Sequence, residues 1–211
     1  MRKHINEFVR ICSKNLNLKE PVYEFGSFIV EGQEDIGNLR VYFPGKDYTG
    51  FDMTKGKGVD KIENLHHLTL EDESASTILC FETFEHVKFP FKAIDEVHRV
   101  LKKDGVLLFA VPFAFPIHAY PDDYYRYTPS GVSALLKKFD KVYTFSVGLE
   151  FMPHNVLAIA VKGEPPQELL NLLPKLKKWK SRYKYDWKVA LTPPILHNYY
   201  KKLKEKNKWK D

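Results

Sequence analysis

Residues 21–60 read PVYEFGSFIVEGQEDIGNLRVYFPGKDYTGFDMTKGKGVD, and this stretch decides the fold. Val22-Tyr23-Glu24-Phe25 has the look of a short strand that runs into Gly26-Ser27. A strand ending on glycine lets the backbone turn sharply and approach a ligand. A second apolar run, around Tyr48–Phe51 after the Pro44-Gly45 turn, ends on Asp52. An acid at the tip of the second strand of a β-α-β unit is placed to grip ribose hydroxyls. The segment thus predicts half of a nucleotide-type site. The fingerprint G-x-G-x-x-G is not met, because Gly26 is followed by Ser27 and Phe28 and the next glycine is Gly32.

The connection between these strands, Val30–Leu39, is polar and interrupted by Gly32 and Gly37, which predicts a partly irregular crossover. Gly56 and Gly58 in the loop that follows Asp52 permit tight backbone approach to a ligand, and the same loop equally reads as a plain solvent loop. Upstream, residues 2–18 predict a helix with Ile5, Phe8, Val9 and Cys12 on one face. Downstream, Ile62–Leu65 predicts a short third strand. STILCF at 76–81 and VLLFAV at 106–111 are near-continuous apolar runs, the pattern of parallel strands covered on both faces. Between them, Pro90–Leu101 places Phe91, Ile94, Val97, His98 and Leu101 at helical spacing. Lys102-Lys103-Asp104-Gly105 reads as its cationic end and glycine cap.

Alternation of this kind argues for an α/β, doubly wound, mostly parallel sheet with ligands at the carboxyl ends of its strands. Gly26, Asp52, Glu82 and Pro112 all fall at such ends. Residues 113–129, FAFPIHAYPDDYYRYTP, break the pattern. A long aromatic loop after a strand's carboxyl end is placed to cover the pocket as a lid. A helix is expected from Thr128 to about Phe139, then two closing strands at Lys141–Val147 and His154–Val161.

The 211 residues are enough for one α/β domain, residues 1–163, with an appendage, residues 164–211. The appendage carries 13 Lys+Arg against 5 Asp+Glu, the body 20 against 22. Leu169, Leu170, Leu172 and Leu173 predict a short helix stopped by Pro174. KLKKWKSRYKYDWK then interleaves cations with Trp179, Tyr183, Tyr185 and Trp187. Basic-aromatic patterns suit single-stranded RNA or an anionic membrane surface over residues 175–210. They equally suit packing back onto the domain or onto a second copy as a homodimer. Two cysteines far apart, Cys12 and Cys80, argue against a disulfide scaffold and against a structural zinc site of their own. The charged N-terminus and the lack of long apolar runs lead to the expectation of a cytoplasmic protein.

With VYEFGS, YTGFDMTKGKGVD, ILCFETFEHV and EVHRVLKKDGVLLFAVPF in hand, residues 20–163 resemble a class I S-adenosylmethionine-dependent methyltransferase. The E-x-x-R-V-L-K-x-x-G-x-L junction carries most of the resemblance, and HAYPDDYYRYTP is similar to a branch acting on unknown substrates. The resemblance implies a seven-stranded Rossmann-like sheet with an antiparallel last strand and S-adenosylmethionine as cofactor. It assigns Glu24 to the first motif's acid, Gly26 to its first glycine and Ser27 to the turn beside the methionine part. It assigns Asp52 to ribose, Met53, Asn64 and Leu65 to the adenine edge, and Phe81 and Glu82 to the border of the methyl donor. Asn64 stands where an aspartate is common, and Leu65 is larger than the usual alanine.

Methyl transfer from a sulfonium is an in-line displacement, so the protein chiefly positions and desolvates the acceptor. His118 suits the role of base for a hydroxyl or amine. Asp122 or Asp123 suits orienting it or binding an acceptor hydroxyl, and Arg126 suits an acceptor carboxylate or phosphate. Tyr120, Tyr124 and Tyr125 suit stacking on a ring. His86 reads as a helix-start residue, and no metal site is expected. The acceptor reads as a small molecule or glycan methylated at oxygen or nitrogen. An RNA-modifying enzyme and a catalytically degenerate binding subunit stand beside that reading.

Overall fold

Two strands of near-continuous apolar sequence form the centre of the sheet because both of their faces are covered. In β4 (Ala75–Phe81) and β5 (Leu101–Pro112), successive side chains alternate between two cores. Ile78, Cys80, Leu107, Phe109 and Val111 point to one; Leu79, Phe81, Val106, Leu108 and Ala110 point to the other. The computed structural model describes residues 2–118 and 122–183. Tyr120, Tyr185, Trp187 and the charged end of the appendage lie outside the described residues.

The remaining strands are β1 (Val22–Phe25), β2 (Tyr48–Asp52), β3 (Lys61–Ile62), β6 (Lys141–Leu149) and β7 (Met152–Lys162). The order is β3-β2-β1-β4-β5-β7-β6, parallel from β3 to β5, with β7 antiparallel to β5 and to β6. Chain progression reverses between β1 and β4, which is where a doubly wound sheet opens a crevice for ligands.

One face carries α3 (Pro90–Val100) and α4 (Pro129–Leu135); the other carries α1 (Lys3–Asn15) and α5 (Gln167–Lys180). Helix α1 buries the stripe predicted for it: Ile5, Phe8, Val9 and Cys12. Phe8 sits among Phe81, Phe145 and Trp179, with ring centroids 6.5, 6.2 and 5.9 Å away. The crossover from β1 to β2 holds only the four-residue α2 (Glu34–Gly37) and a 3₁₀ turn, Leu39–Tyr42.

Several expectations are corrected. Strand β3 stops at Ile62, so Asn64 and Leu65 fall in a turn, where Asn64 bridges to His67. Residues 102–105 are not a helix cap. Helix α3 ends at Val100 and β5 begins at Leu101 opposite Ala75, with an irregularity before Thr77 pairs with Val106. The left-handed residue there is Asp104, φ 61°; a Cβ at Gly105 would press on the Leu101 side chain and on the Lys102 carbonyl, 2.7 and 2.8 Å away. Phe91 points to solvent, 57 % exposed, although its spacing matched the buried stripe. Helix α4 ends at Leu135 rather than Phe139. Helix α5 runs through Pro174, with Leu169, Leu172, Leu176 and Trp179 buried against the α1 face. A proline forfeits one backbone bond in a helix interior, and burial of four large side chains outweighs that loss. Among the described residues no helix is long and apolar enough to cross a membrane.

Candidate active site

The crevice begins at the turn after β1. Gly26 adopts φ 80°, a left-handed conformation open to glycine. A Cβ there would also overlap the Thr83 hydroxyl, which itself bonds the carbonyls of Phe25 (3.3 Å) and Phe81 (3.1 Å). The glycine therefore lets the ends of β1 and β4 close against each other. Gly26 and Ser27 donate their amides to the Phe51 carbonyl at 2.9 and 3.1 Å, and the Phe28 amide reaches Asp52 Oδ2 at 3.4 Å. Asp52 Oδ1 accepts the Thr54 amide at 3.0 Å. The bend after β1 and the carboxylate at the tip of β2 thus meet at one rim, with Met53 exposed beside them.

The glycines after Asp52 serve this rim from within. Gly56 lies against the Phe28 ring, Gly58 against the Ser27 carbonyl, and Ile29 donates to the Lys57 carbonyl at 2.8 Å. Their close approach is to the turn after β1. Glu24 is buried below, and Tyr48 donates to its Oε2 at 2.6 Å. Burial pushes the Glu24 carboxyl up to about 7, against the Tyr48 bond and Arg40.

Phe81 is core, packed in the α1-side cluster. Glu82, the next residue, holds φ 50°, the kind of strained backbone found at functional sites. Its Oε1 accepts from Asn155 Nδ2 at 3.2 Å and lies 3.5 Å from Arg2 Nε. Asn155 is fully buried and its Oδ1 faces Arg2 Nη1 and His4 Nε2, both at 2.9 Å. Burial lowers His4 to about 4. Sequence reasoning missed this N-terminal cluster; its one signal was an asparagine opening the apolar run NVLAIAV. The Asn64 Oδ1 accepts the His66 amide at 2.9 Å within a turn, and Leu65 is packed in the α3-side core.

On the far side, the 3₁₀ turn Phe84–His86 leaves the end of β4, and the loop after β5 zips onto it. Tyr124 and Tyr125 donate their amides to the Glu85 carbonyl (2.7 and 3.2 Å), and the Tyr127 hydroxyl donates to the Phe84 carbonyl. The Arg126 guanidinium commits its five donors inside the loop: to both carboxylate oxygens of Asp123 and to the carbonyls of Phe115, Pro116 and Tyr125. It is a pin for the loop, and beside it the Asp123 carboxyl stays well below the usual carboxylate range. Asp122 accepts the Tyr124 hydroxyl at 2.8 Å.

His118 Nδ1 lies 3.1 Å from Asp123 Oδ2, and His86 Nδ1 lies 2.6 Å from the Asp122 carbonyl. The two rings meet edge to face at 4.8 Å. Burial lowers His86 and pushes the neighbouring Glu85 carboxyl up to about 8. Glu85, His86 and His118 each bring a ligand-type atom within 4.8 Å of the others.

Ser27 supplies the test of whether an adenosyl cofactor suits the crevice. Its Oγ is buried and has no hydrogen-bond partner among the described residues. A buried hydroxyl left open at the turn between β1, β2 and β4 fits a polar ligand arriving there. Together with Asp52 for ribose hydroxyls, the residues present fit S-adenosylmethionine.

Residues 45–109, just under a third of the chain, match the family model described as a methyltransferase domain. No curated protein sequence matches the chain. Among solved structures, an S-adenosylmethionine-dependent methyltransferase from Archaeoglobus fulgidus aligns at TM-score 0.59 and 13 % identity, over 77 % of this chain and 95 % of that one. YcgJ from Bacillus subtilis aligns at 0.55 and 16 %, over 78 % and 100 %. A methyltransferase from Haloferax volcanii, solved with the Trm112 activator, aligns at 0.52 and 13 %, over 78 % and 100 %. The strand order agrees with the fold of these solved methyltransferases, and residues 45–109 match the methyltransferase-domain model.

Proposed function

We propose that the protein transfers a methyl group from S-adenosylmethionine to an oxygen or nitrogen of a small or glycan-like acceptor seated at the ends of β4 and β5. The observation that carries this reading is the His118–Asp123 pair, 3.1 Å apart, beside His86 in the turn after β4. An imidazole whose Nδ1 proton is held by a carboxylate presents Nε2 as a proton acceptor. Asp52 holds ribose hydroxyls, and Gly26 and Ser27 bring backbone and hydroxyl to the amino-acid part. The cofactor supplies an activated methyl group; the chain supplies position and a dry surface. Asp122 and Tyr124, bonded to each other on the exposed side of the loop, offer contacts to an acceptor hydroxyl.

The RNA-gripping and membrane-surface readings lose part of their basis. Trp179 is buried beside Phe8, and the Tyr183 hydroxyl bonds Glu7. Two of the four interleaved aromatics are therefore spent on packing, which favours the alternative that the appendage folds back onto the domain. Calorimetric titration with S-adenosylmethionine separates an active enzyme from a degenerate binding subunit. In a labelled-donor assay against an acceptor panel, His118→Ala lowers turnover while cofactor affinity stays within a factor of two. An equal loss of both removes His118 from the reaction.

A further inference from the structure

We propose that Glu85, His86 and His118 form a binding site for one divalent first-row transition-metal ion at the acceptor side of the crevice. The three side chains come from two separate segments, the 3₁₀ turn after β4 and the loop after β5. They place their ligand-type atoms within 4.8 Å of one another. Glu85 Oε1 and His86 Nε2 are 3.8 Å apart, too far for a hydrogen bond and suited to sharing an ion. Donors bound at about 2.0–2.2 Å sit no more than about 4.4 Å apart, so small side-chain rotations close the set.

Two independent observations say the set is built to receive a cation. First, the Glu85 side chain is 1 % exposed, yet its Oε2 has no hydrogen-bond partner among the described residues. A buried carboxylate oxygen left open is costly unless something positive meets it. Second, each imidazole is oriented by a partner on its other nitrogen. His86 Nδ1 faces the Asp122 carbonyl, and His118 Nδ1 faces Asp123, itself clamped by Arg126. An acceptor on Nδ1 fixes the tautomer and leaves a bare Nε2, the usual outer arrangement around a metal-bound histidine. Glu82 adds negative potential at Glu85, while Arg126 answers Asp123.

Two imidazoles and one carboxylate, with no thiolate, select borderline ions such as Mn²⁺, Fe²⁺, Co²⁺ or Zn²⁺ over calcium. Three protein ligands leave open positions, and side-chain exposure rises from Glu85 (1 %) through His86 (15 %) to His118 (32 %), so those positions face the loop. An ion there takes oxygen ligands from the acceptor and lowers the pKa of a bound hydroxyl. The acceptor class narrows to molecules offering adjacent oxygens. His118 then acts by holding the ion, and the hydroxyl proton leaves to solvent. The acceptor class rests on the methyl-transfer reading; the ion does not.

The test is calorimetric titration of Co²⁺ into the full, untagged, chelator-treated chain near neutral pH. One ion binds per chain. Glu85→Gln and His118→Ala each weaken binding at least tenfold, and Asp123→Asn weakens it about tenfold through His118. His67→Ala, which removes an exposed histidine, leaves it unchanged. His118 is partly exposed, so its variant reports on binding even if Glu85→Gln fails to fold. Absence of saturable heat, or an affinity indifferent to His118→Ala, overturns the site. A parallel S-adenosylmethionine titration keeps the two readings apart, since loss of either binding leaves the other standing.

Discussion

The two halves of the sheet are built by different means. From β4 to β6 the strands are seven to twelve residues long, and helices α1, α3, α4 and α5 sandwich them with large apolar side chains. From β1 to β3 the strands have four, five and two residues, and α2 buries no side chain. That half still buries Phe25 and Phe51, stacked at 5.4 Å, and adds close approaches at glycine: Gly26 against the Thr83 side chain, Gly50 against the Gly58 carbonyl, Gly58 against the Ser27 carbonyl. Side-chain packing makes the half from β4 to β6 rigid, while close main-chain approach leaves the buried Ser27 hydroxyl without a partner among the described residues at the rim of the other half. The β4–β6 side, with its long strands and four helices, is the thick half; the β1–β3 side, with short strands and its closest glycine approaches, is the thin half.

If that division is real, stability and cofactor affinity separate by position. Trp179→Ala removes an indole packed on Phe8 and Tyr183 in the thick half. Truncation of a buried aromatic costs about 3–5 kcal/mol, read as a lower denaturant midpoint at constant slope. A loss under about 1 kcal/mol would mean that α5 is an ornament and that the appendage is separable after all.

Asp52→Ala belongs to the other half. Its carboxylate caps the Phe28 and Thr54 amides and is partly exposed, so the fold tolerates its loss. Losing charge-assisted bonds to a ribose costs about 1.5–3 kcal/mol of S-adenosylmethionine affinity, while the unfolding midpoint moves by less than Trp179→Ala moves it. Unchanged calorimetric affinity would take Asp52 out of the site and dissolve the contrast between the halves.

How much of this was legible follows from the same division. The thick half could be read because apolar runs and helical spacing report burial directly: STILCF, VLLFAV and the stripe of α1 all stand where expected. Its errors came where one residue obeyed the period without a partner, as Phe91 did, or where packing overrode a local stop signal, as at Pro174. The thin half was legible only at its ends. Gly26 and Asp52 are marked by their place after strands, yet nothing in the spacing says that Gly56 and Gly58 serve Phe28 and Ser27. His118 was legible as a candidate base, but its grouping with Glu85 and His86 stayed hidden because 32 positions separate the two histidines, and only the pairing of β4 with β5 brings them together.

The smallest effect tests the one charge that the thin half buries. The Glu24 carboxyl is pushed up to about 7 by burial, with Tyr48 and Arg40 opposing and Asp52 and Asp60 adding to it. Its folded value is raised above the unfolded one. The stability it contributes is therefore fully present below the unfolded value of about 4.3 and is lost as pH rises through the folded value. Between about pH 6 and pH 7 that loss is about 1 kcal/mol. Glu24→Gln keeps an acceptor for the Tyr48 hydroxyl and removes the titration. Its midpoint should fall less steeply with pH than the parent's over that range, with Glu85 still titrating in both proteins and cancelling in the difference. Parallel pH profiles would mean that the crevice floor beside Glu24 is wetter than its burial implies.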